Sequence, residues 1–139
     1  KSLKKALQAI VWLKNGAYII IQPTEALVSV DVITGKAVSK KKDVQKTFLK
    51  VNLEAAKEIA FQLRLRNLSG MILVDFIDMV SDEDNKTLLE VFREALAKDP
   101  VPANVVDMTK LGLVEVTRKK VRKPLYEQVN LKQQAIGFD

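Results

Sequence analysis

Short apolar runs with a period of two open the chain, and runs with helical spacing follow them. Val11-Trp12-Leu13 and Tyr18-Ile19-Ile20-Ile21 flank Lys14-Asn15-Gly16-Ala17, and Asn-Gly between β-rich runs predicts a hairpin. Gln22-Pro23-Thr24 breaks the chain before a third strand, Ala26 to Ile33. Alternation there puts Ala26, Val28, Val30 and Val32 on one face and Leu27, Ser29, Asp31 and Ile33 on the other. The all-apolar face reads as core, so Asp31 points away from it. Trp12 reads as a packed strand residue, and Glu25, beside Pro23-Thr24, as a turn residue.

Thr34-Gly35-Lys36 turns the chain, after which Phe48, Val51, Ala55, Ile59 and Leu63 recur at helical spacing. A helix should run to about Arg66, capped at its start by Asp43 or Asn52. Asn67 to Gly70 closes it, and Met71-Ile72-Leu73-Val74 reads as a short strand buried on both faces. Ser81-Asp82-Glu83-Asp84 has the form of a capping box, with acids at the positive end of a helix dipole. Leu88, Leu89, Phe92, Ala95 and Leu96 form the stripe of that second helix, and Asp99-Pro100-Val101-Pro102 ends it. A last β-rich segment runs from Val105 to about Thr117, interrupted at Gly112. The predicted fold class is α/β: a mixed sheet with antiparallel N-terminal strands, in the order strand-strand-strand-helix-strand-helix-strand, and helices packed on it.

Composition narrows the chemistry. The 139 residues suffice for one domain with a real core. They include no Cys and no His, which excludes a thiolate nucleophile, a zinc finger, a disulfide framework and a histidine base within the chain. Catalysis would have to run on carboxylates, lysines, hydroxyls or a hard metal held by oxygen. No apolar run approaches the ~18 residues that span a bilayer, and no secretory signal is visible. Lys1, in place of an initiating Met, points to a piece of a longer chain.

Lys plus Arg number 23 against 17 Asp plus Glu, a net charge of +6. The cations cluster in two runs: Lys36 to Lys50, with Lys36, Lys40, Lys41 and Lys42, and Arg118 to Lys123, with Arg118, Lys119, Lys120 and Arg122. Such runs are ordinarily solvated faces, or else a footprint for nucleic-acid phosphates. No pair of aromatics interleaves them, so a base-stacking platform is not indicated. No Gly-rich phosphate loop is present.

Polar sites in mixed sheets tend to lie beyond the carboxyl ends of strands, where Asp31 and Asp75 are expected. Two strand-end carboxylates are the minimum for holding a magnesium ion that keeps its waters and takes further ligands from a phosphate substrate. The plain alternative is a solvated strand-end residue and a turn cap. Asp78 would face away from Asp75 if the strand continues, and would converge with it if a turn starts there.

Five blocks carry a more specific signal: Gly16-Ala17-Tyr18-Ile19-Ile20-Ile21-Gln22-Pro23-Thr24-Glu25-Ala26-Leu27; Val30-Asp31-Val32; Asn52-Leu53-Glu54-Ala55-Ala56 with Gln62-Leu63-Arg64-Leu65-Arg66; Val74-Asp75-Phe76-Ile77-Asp78-Met79; and Gly112-Leu113-Val114-Glu115 with Thr117-Arg118. In this order the chain resembles the ribonuclease E/G family from about Trp12 to Leu125. The resemblance covers only the deoxyribonuclease-I-like subdomain, here residues 1–125 with a tail at 126–139. The family's oligonucleotide-binding barrel and ribonuclease-H-like subdomains would be its missing partners.

The resemblance implies a cytoplasmic, magnesium-dependent endoribonuclease of RNA processing and decay, which cuts single-stranded RNA and leaves 5′-phosphate ends. It makes Asp31 and Asp75 the metal ligands and catalytic pair, with Asp78 a third candidate. The two basic runs become candidate RNA contacts. Three departures qualify it. Ile33 stands where the family usually has an Asn that assists the active centre. Asp99 to Ala103 lacks the cation that engages the RNA 5′ end in some members. The Cys pair that in many members lies just downstream and shares zinc between protomers is not in these residues, so it either follows in a parent chain or is lacking, which leaves homo-oligomer formation open. A rival is a catalytically silent RNA-binding or assembly module of the same family, and a second is an unrelated phosphodiesterase with a ribonuclease-H-like core.

Overall fold

The computed structural model describes residues 8–37 and 43–121. Strands β1 (Ala9–Trp12), β2 (Tyr18–Pro23) and β3 (Val28–Ile33) come first, followed by helix α1 (Val44–Leu65) and β4 (Gly70–Asp75). Helix α2 (Asp82–Ala97), β5 (Ala103–Met108) and β6 (Leu113–Arg118) complete the order. The strands form one sheet ordered β1-β2-β3-β4-β6-β5. Its only parallel pair among the described residues is β3 with β4, because α1 carries the chain back between them. The expected mixed sheet with an antiparallel N-terminal part is therefore present. The last β-rich segment is two strands rather than one, folded as a hairpin at Thr109–Gly112, where Gly112 takes φ +84°.

Both helices pack on one face of the sheet. Ile19, Ile21, Val28, Val30, Val32, Ile72, Val74, Val114 and Val116 join Val51, Ala55, Ile59, Leu63, Leu88, Phe92 and Leu96 in one core. At about 25 cal/mol per Å² of apolar surface removed from water, this shared face is the main force holding helices to sheet. No helix or strand among the described residues covers the opposite face. β4 is consequently buried on one side only: Ile72 and Val74 are inside, Leu73 is half-buried and Met71 is exposed. The two-sided burial expected for this strand does not occur, because both helices lie on the same side.

Local signals explain the helix ends. Asp43, not Asn52, caps α1, its carboxylate accepting from the Lys46 N–H at 3.1 Å. At the other end Asn67 takes φ +50°, Leu68 N–H bonds back to Leu63 C=O at 3.0 Å, and Asn67 N–H bonds to Arg64 C=O at 3.1 Å. These paired bonds form a Schellman closure, which satisfies the last carbonyls of the helix. Ser81 caps α2 by accepting from Asp84 N–H, with Asp82, Glu83 and Asp84 in the first turn. No helix among the described residues is long and apolar enough to cross a membrane.

Candidate metal centre

Asp31 and Asp75 are register partners across the parallel β3–β4 pair. Neighbouring strands lie ~4.8 Å apart, so their carboxylates rise side by side. Each alternates with buried valines, Val30 and Val32 in β3 and Val74 in β4, which forces both acids onto the open face. Ile20 of β2 and Leu113 of β6 flank them in the same row. Ile33, two residues beyond Asp31, shares this face and is half-buried.

Beyond Asp75 the chain leaves the sheet instead of extending β4, and several side chains fix its path. Phe76 is buried edge-to-face on Phe92, with ring centroids 5.5 Å apart. Asn52 Nδ2 donates to the Ile77 carbonyl at 2.9 Å, and its Oδ1 accepts from the Ile77 N–H at 3.0 Å. Gln45 Oε1 accepts from Val80 N–H, and Asn85 Nδ2 donates to Met79 C=O. The clamped turn brings the Asp78 carboxylate against Gly112, where an added Cβ would sit 3.3 Å from Asp78 Oδ1.

Electrostatics ties the three acids together. Burial pushes the Asp75 carboxyl above its ordinary value, and the negative charges of Asp31 and Asp78 push it further. Like charges held close favour uptake of a proton or a cation. Among the described residues no group of three or more His, Cys, Asp or Glu side chains encloses a metal by itself. The donor set is thus one of oxygens only and incomplete. It suits a hard ion that keeps several waters and takes remaining ligands from a phosphate.

The remaining candidates separate. Lys36 is exposed in the turn after β3, at the end of the sheet where Asp31 lies. Arg118 is not available to a ligand: it is buried, with Nε donating to Asp99 Oδ2 at 2.7 Å and Nη2 to Asp99 Oδ1 at 3.3 Å. Its Nη1 donates to Asn67 Oδ1 and to Leu68 C=O. The expectation of an RNA contact there is corrected, because in-register pairing with β4 turns this side chain into the core face beneath Gly70. Lys119 and Lys120 are exposed, yet they follow Arg118, and the five pairs from Leu113↔Asp75 to Arg118↔Gly70 put that end of β6 about 17 Å from the acids. Lys40, Lys41, Lys42 and Arg122 lie outside the described residues, as does the boundary expected at residue 125. Glu25 sits in the exposed turn at the far end of β3, where Thr24 N–H bonds to Leu27 C=O.

Asn52, a cap candidate in the sequence, instead holds the turn after β4. Its signal was a polar residue inside an apolar stripe, four positions after Phe48 and three before Ala55.

The sequence profile of the Ribonuclease E/G family matches residues 1–121. The chain belongs to the ribonuclease E/G family. Among ribonuclease E/G relatives, Ribonuclease G of Haemophilus influenzae is 44% identical over 124 residues, 89% of this chain and 25% of the relative. Ribonuclease E of Nostoc sp. is 47% identical over 126 residues, 91% of this chain and 18% of the relative. Ribonuclease G of Escherichia coli K12 is 43% identical over 123 residues, 88% of this chain and 25% of the relative. The chain therefore spans a quarter or less of these ribonuclease E/G relatives' length.

Proposed function

We propose that the chain is the metal-binding nuclease subdomain of a ribonuclease E/G-type endoribonuclease, which hydrolyses phosphodiester bonds of single-stranded RNA and leaves 5′-phosphate ends. The observation that carries this reading is the in-register pair Asp31 and Asp75 on an uncovered sheet face. Magnesium is the ion proposed to join them, and when bound it would neutralise phosphate charge and lower the pKa of a coordinated water. Asp31 and Asp75 supply the anionic ligands, and Asp78 adds negative charge from the clamped turn. Ile20 and Leu113 flank the row with aliphatic groups. The barrel and ribonuclease-H-like subdomains of a parent chain would supply the main RNA grip in the cytoplasm. These 139 residues alone should bind magnesium weakly and cut slowly or not at all, because two carboxylates make a poor cage.

Ile33 favours the second reading, a silent RNA-binding or assembly module, since it puts a branched alkyl group where an amide could have bonded beside the metal. Magnesium-dependent cleavage of a short single-stranded RNA by the full-length protein and its Asp31→Asn and Asp75→Asn forms separates the two. Loss of cleavage in both variants supports the nuclease. Equal cleavage by all three forms removes these carboxylates from the reaction. No cleavage by any form, with salt-dependent RNA binding retained, selects the silent module.

A further inference from the structure

Trp12 does not pack into the core, contrary to what its strand suggests: it is 66% exposed. Pairing of β1 with β2 and of β2 with β3 sets Trp12, Tyr18 and Ile33 in one row of the open face. The adjacent row holds Ile10, Ile20, Asp31 and Asp75. The indole rests on the Tyr18 ring, with centroids 4.6 Å apart and planes tilted by 45°. Tyr18 is braced in turn by the bend after β3: a Cβ added at Gly35 would lie 3.5 Å from both Tyr18 Cδ1 and Cε1. Tyr18 is therefore wedged between Trp12 and the backbone, and Trp12 is held in place while much of its surface meets solvent.

Cations border this pair. Lys14 is exposed in the β1–β2 turn, and Lys36 is exposed in the neighbouring bend, close beside Gly16. The acid nearest the turn, Glu54, is engaged by Lys14 N–H at 2.8 Å and Asn15 Nδ2 at 3.1 Å. Exposed aromatics bordered by lysines are the combination that holds single-stranded nucleic acid, since every base has a π face and every phosphate a charge. A duplex keeps its base faces stacked inside and cannot use such a surface. With ~4.8 Å between strands and ~3.4 Å per residue, the aromatic pair lies roughly 12 Å from the carboxylate pair. A short stretch of extended strand covers that span.

We infer that Trp12, braced by Tyr18, stacks on one base of the RNA strand whose phosphodiester lies at Asp31 and Asp75, with Lys14 and Lys36 beside the intervening phosphates. The assignment rests on the nuclease reading for the position of the scissile bond, though not for the stacking itself.

The test uses the full-length protein, with EDTA present so that RNA is bound and not cut. Affinity for one short single-stranded RNA is compared with that for a series in which a single abasic nucleotide is walked along the strand. Trp12→Ala should weaken binding of the intact RNA about 5-fold to 100-fold, and Trp12→Phe should retain most of the affinity. At one abasic position the wild-type protein should lose the same factor, and there Trp12→Ala should add nothing. Unchanged affinity of Trp12→Ala overturns the inference. So does a loss of equal size on every abasic RNA, especially with a lowered Tm, because Trp12 would then pack against another part of the protein. Failure of the nuclease reading is visible separately, as undiminished cleavage by Asp31→Asn and Asp75→Asn, and leaves the abasic series unaffected.

Discussion

Replacing Asn52 by Leu tests whether the turn between Asp75 and Asp78 is held by hydrogen bonds rather than by packing. Asn52 is fully buried, and its amide satisfies both backbone groups of Ile77. Leucine matches the amide in size and offers neither donor nor acceptor. An orphaned buried backbone group costs about 1–3 kcal/mol. Ile77 is only half-buried, so water reaches part of it, and the lower half of that range applies to each group. The sum is about 2–4 kcal/mol, or on the order of 10 °C in Tm for a domain of this size. Thermal and urea denaturation in metal-free buffer measure it. Leu63→Ala serves as the control, because Leu63 is buried at the far end of α1 and its truncation costs a similar ~2–5 kcal/mol. In the full-length protein, at a temperature where both variants are folded, Asn52→Leu should cut RNA at least ~10-fold more slowly than Leu63→Ala, since misplacement near reacting groups is costly. A stability within ~0.5 kcal/mol of wild type, the usual scatter for substitutions away from such features, would refute the clamp. Equal cleavage by the two variants would refute its positioning role.

Three further outcomes follow from the same structure. Burial works to raise the Asp99 carboxyl, but hydrogen bonds from Arg118 and the Val101 N–H, with the Arg118 and Arg64 charges, outweigh it and hold the group below its ordinary value of 3.8. The ion pair therefore stabilises the fold above that pH and is lost as pH falls through the lower folded value; Asp99→Asn should cost about 3–5 kcal/mol at pH 7 and flatten the acid limb of a Tm–pH curve. Gly35→Ala should destabilise by more than ~1 kcal/mol in urea denaturation, because φ is +55° and the new Cβ would stand 2.6 Å from the Gly16 carbonyl oxygen. The charged form of Asp75 is disfavoured in the folded state, so its contribution is best below the ordinary carboxyl range and worsens as pH rises through the raised value. Asp75→Asn should then stabilise the metal-free protein near neutral pH by about 0.5 kcal/mol after solvent screening, read as a raised Tm, while abolishing cleavage by the full-length protein; a lowered Tm at pH 7 would contradict the repulsion.

The elements with strong local signals were legible in the sequence. The Asn15-Gly16 turn, the alternation of β3 and the Ser81 N-cap all form as their residues dictate. What was not legible depends on tertiary placement. Four apolar residues in β4 cannot reveal that both helices choose one face, so the exposure of Met71 is invisible locally. The run of cations at the end of β6 looks uniform along the chain, yet strand pairing turns Arg118 inward to Asp99 and leaves Lys119 outside. Trp12 misled for the same reason: pairing sets it on the open face, and β1 is also an edge strand with a neighbour on one side only.

The candidate site was half legible in the same sense. Alternation alone put Asp31 on the face away from the core, and its pairing with Asp75 follows only once α1 returns the chain parallel to β3. That pairing sets like charges side by side, which no isolated chain segment would choose. The turn after Asp75 could relieve the repulsion by swinging Asp78 away, but Asn52, Gln45 and Asn85 hold its backbone from two different helices. The helices that build the core thus also prevent the acids from separating. Electrostatic strain kept in place by packing is a feature expected of a binding centre rather than of a surface chosen for stability. On the proposed metal-binding reading, a hard cation that relieves this repulsion would favour the folded chain over the unfolded one, so added magnesium should raise the Tm.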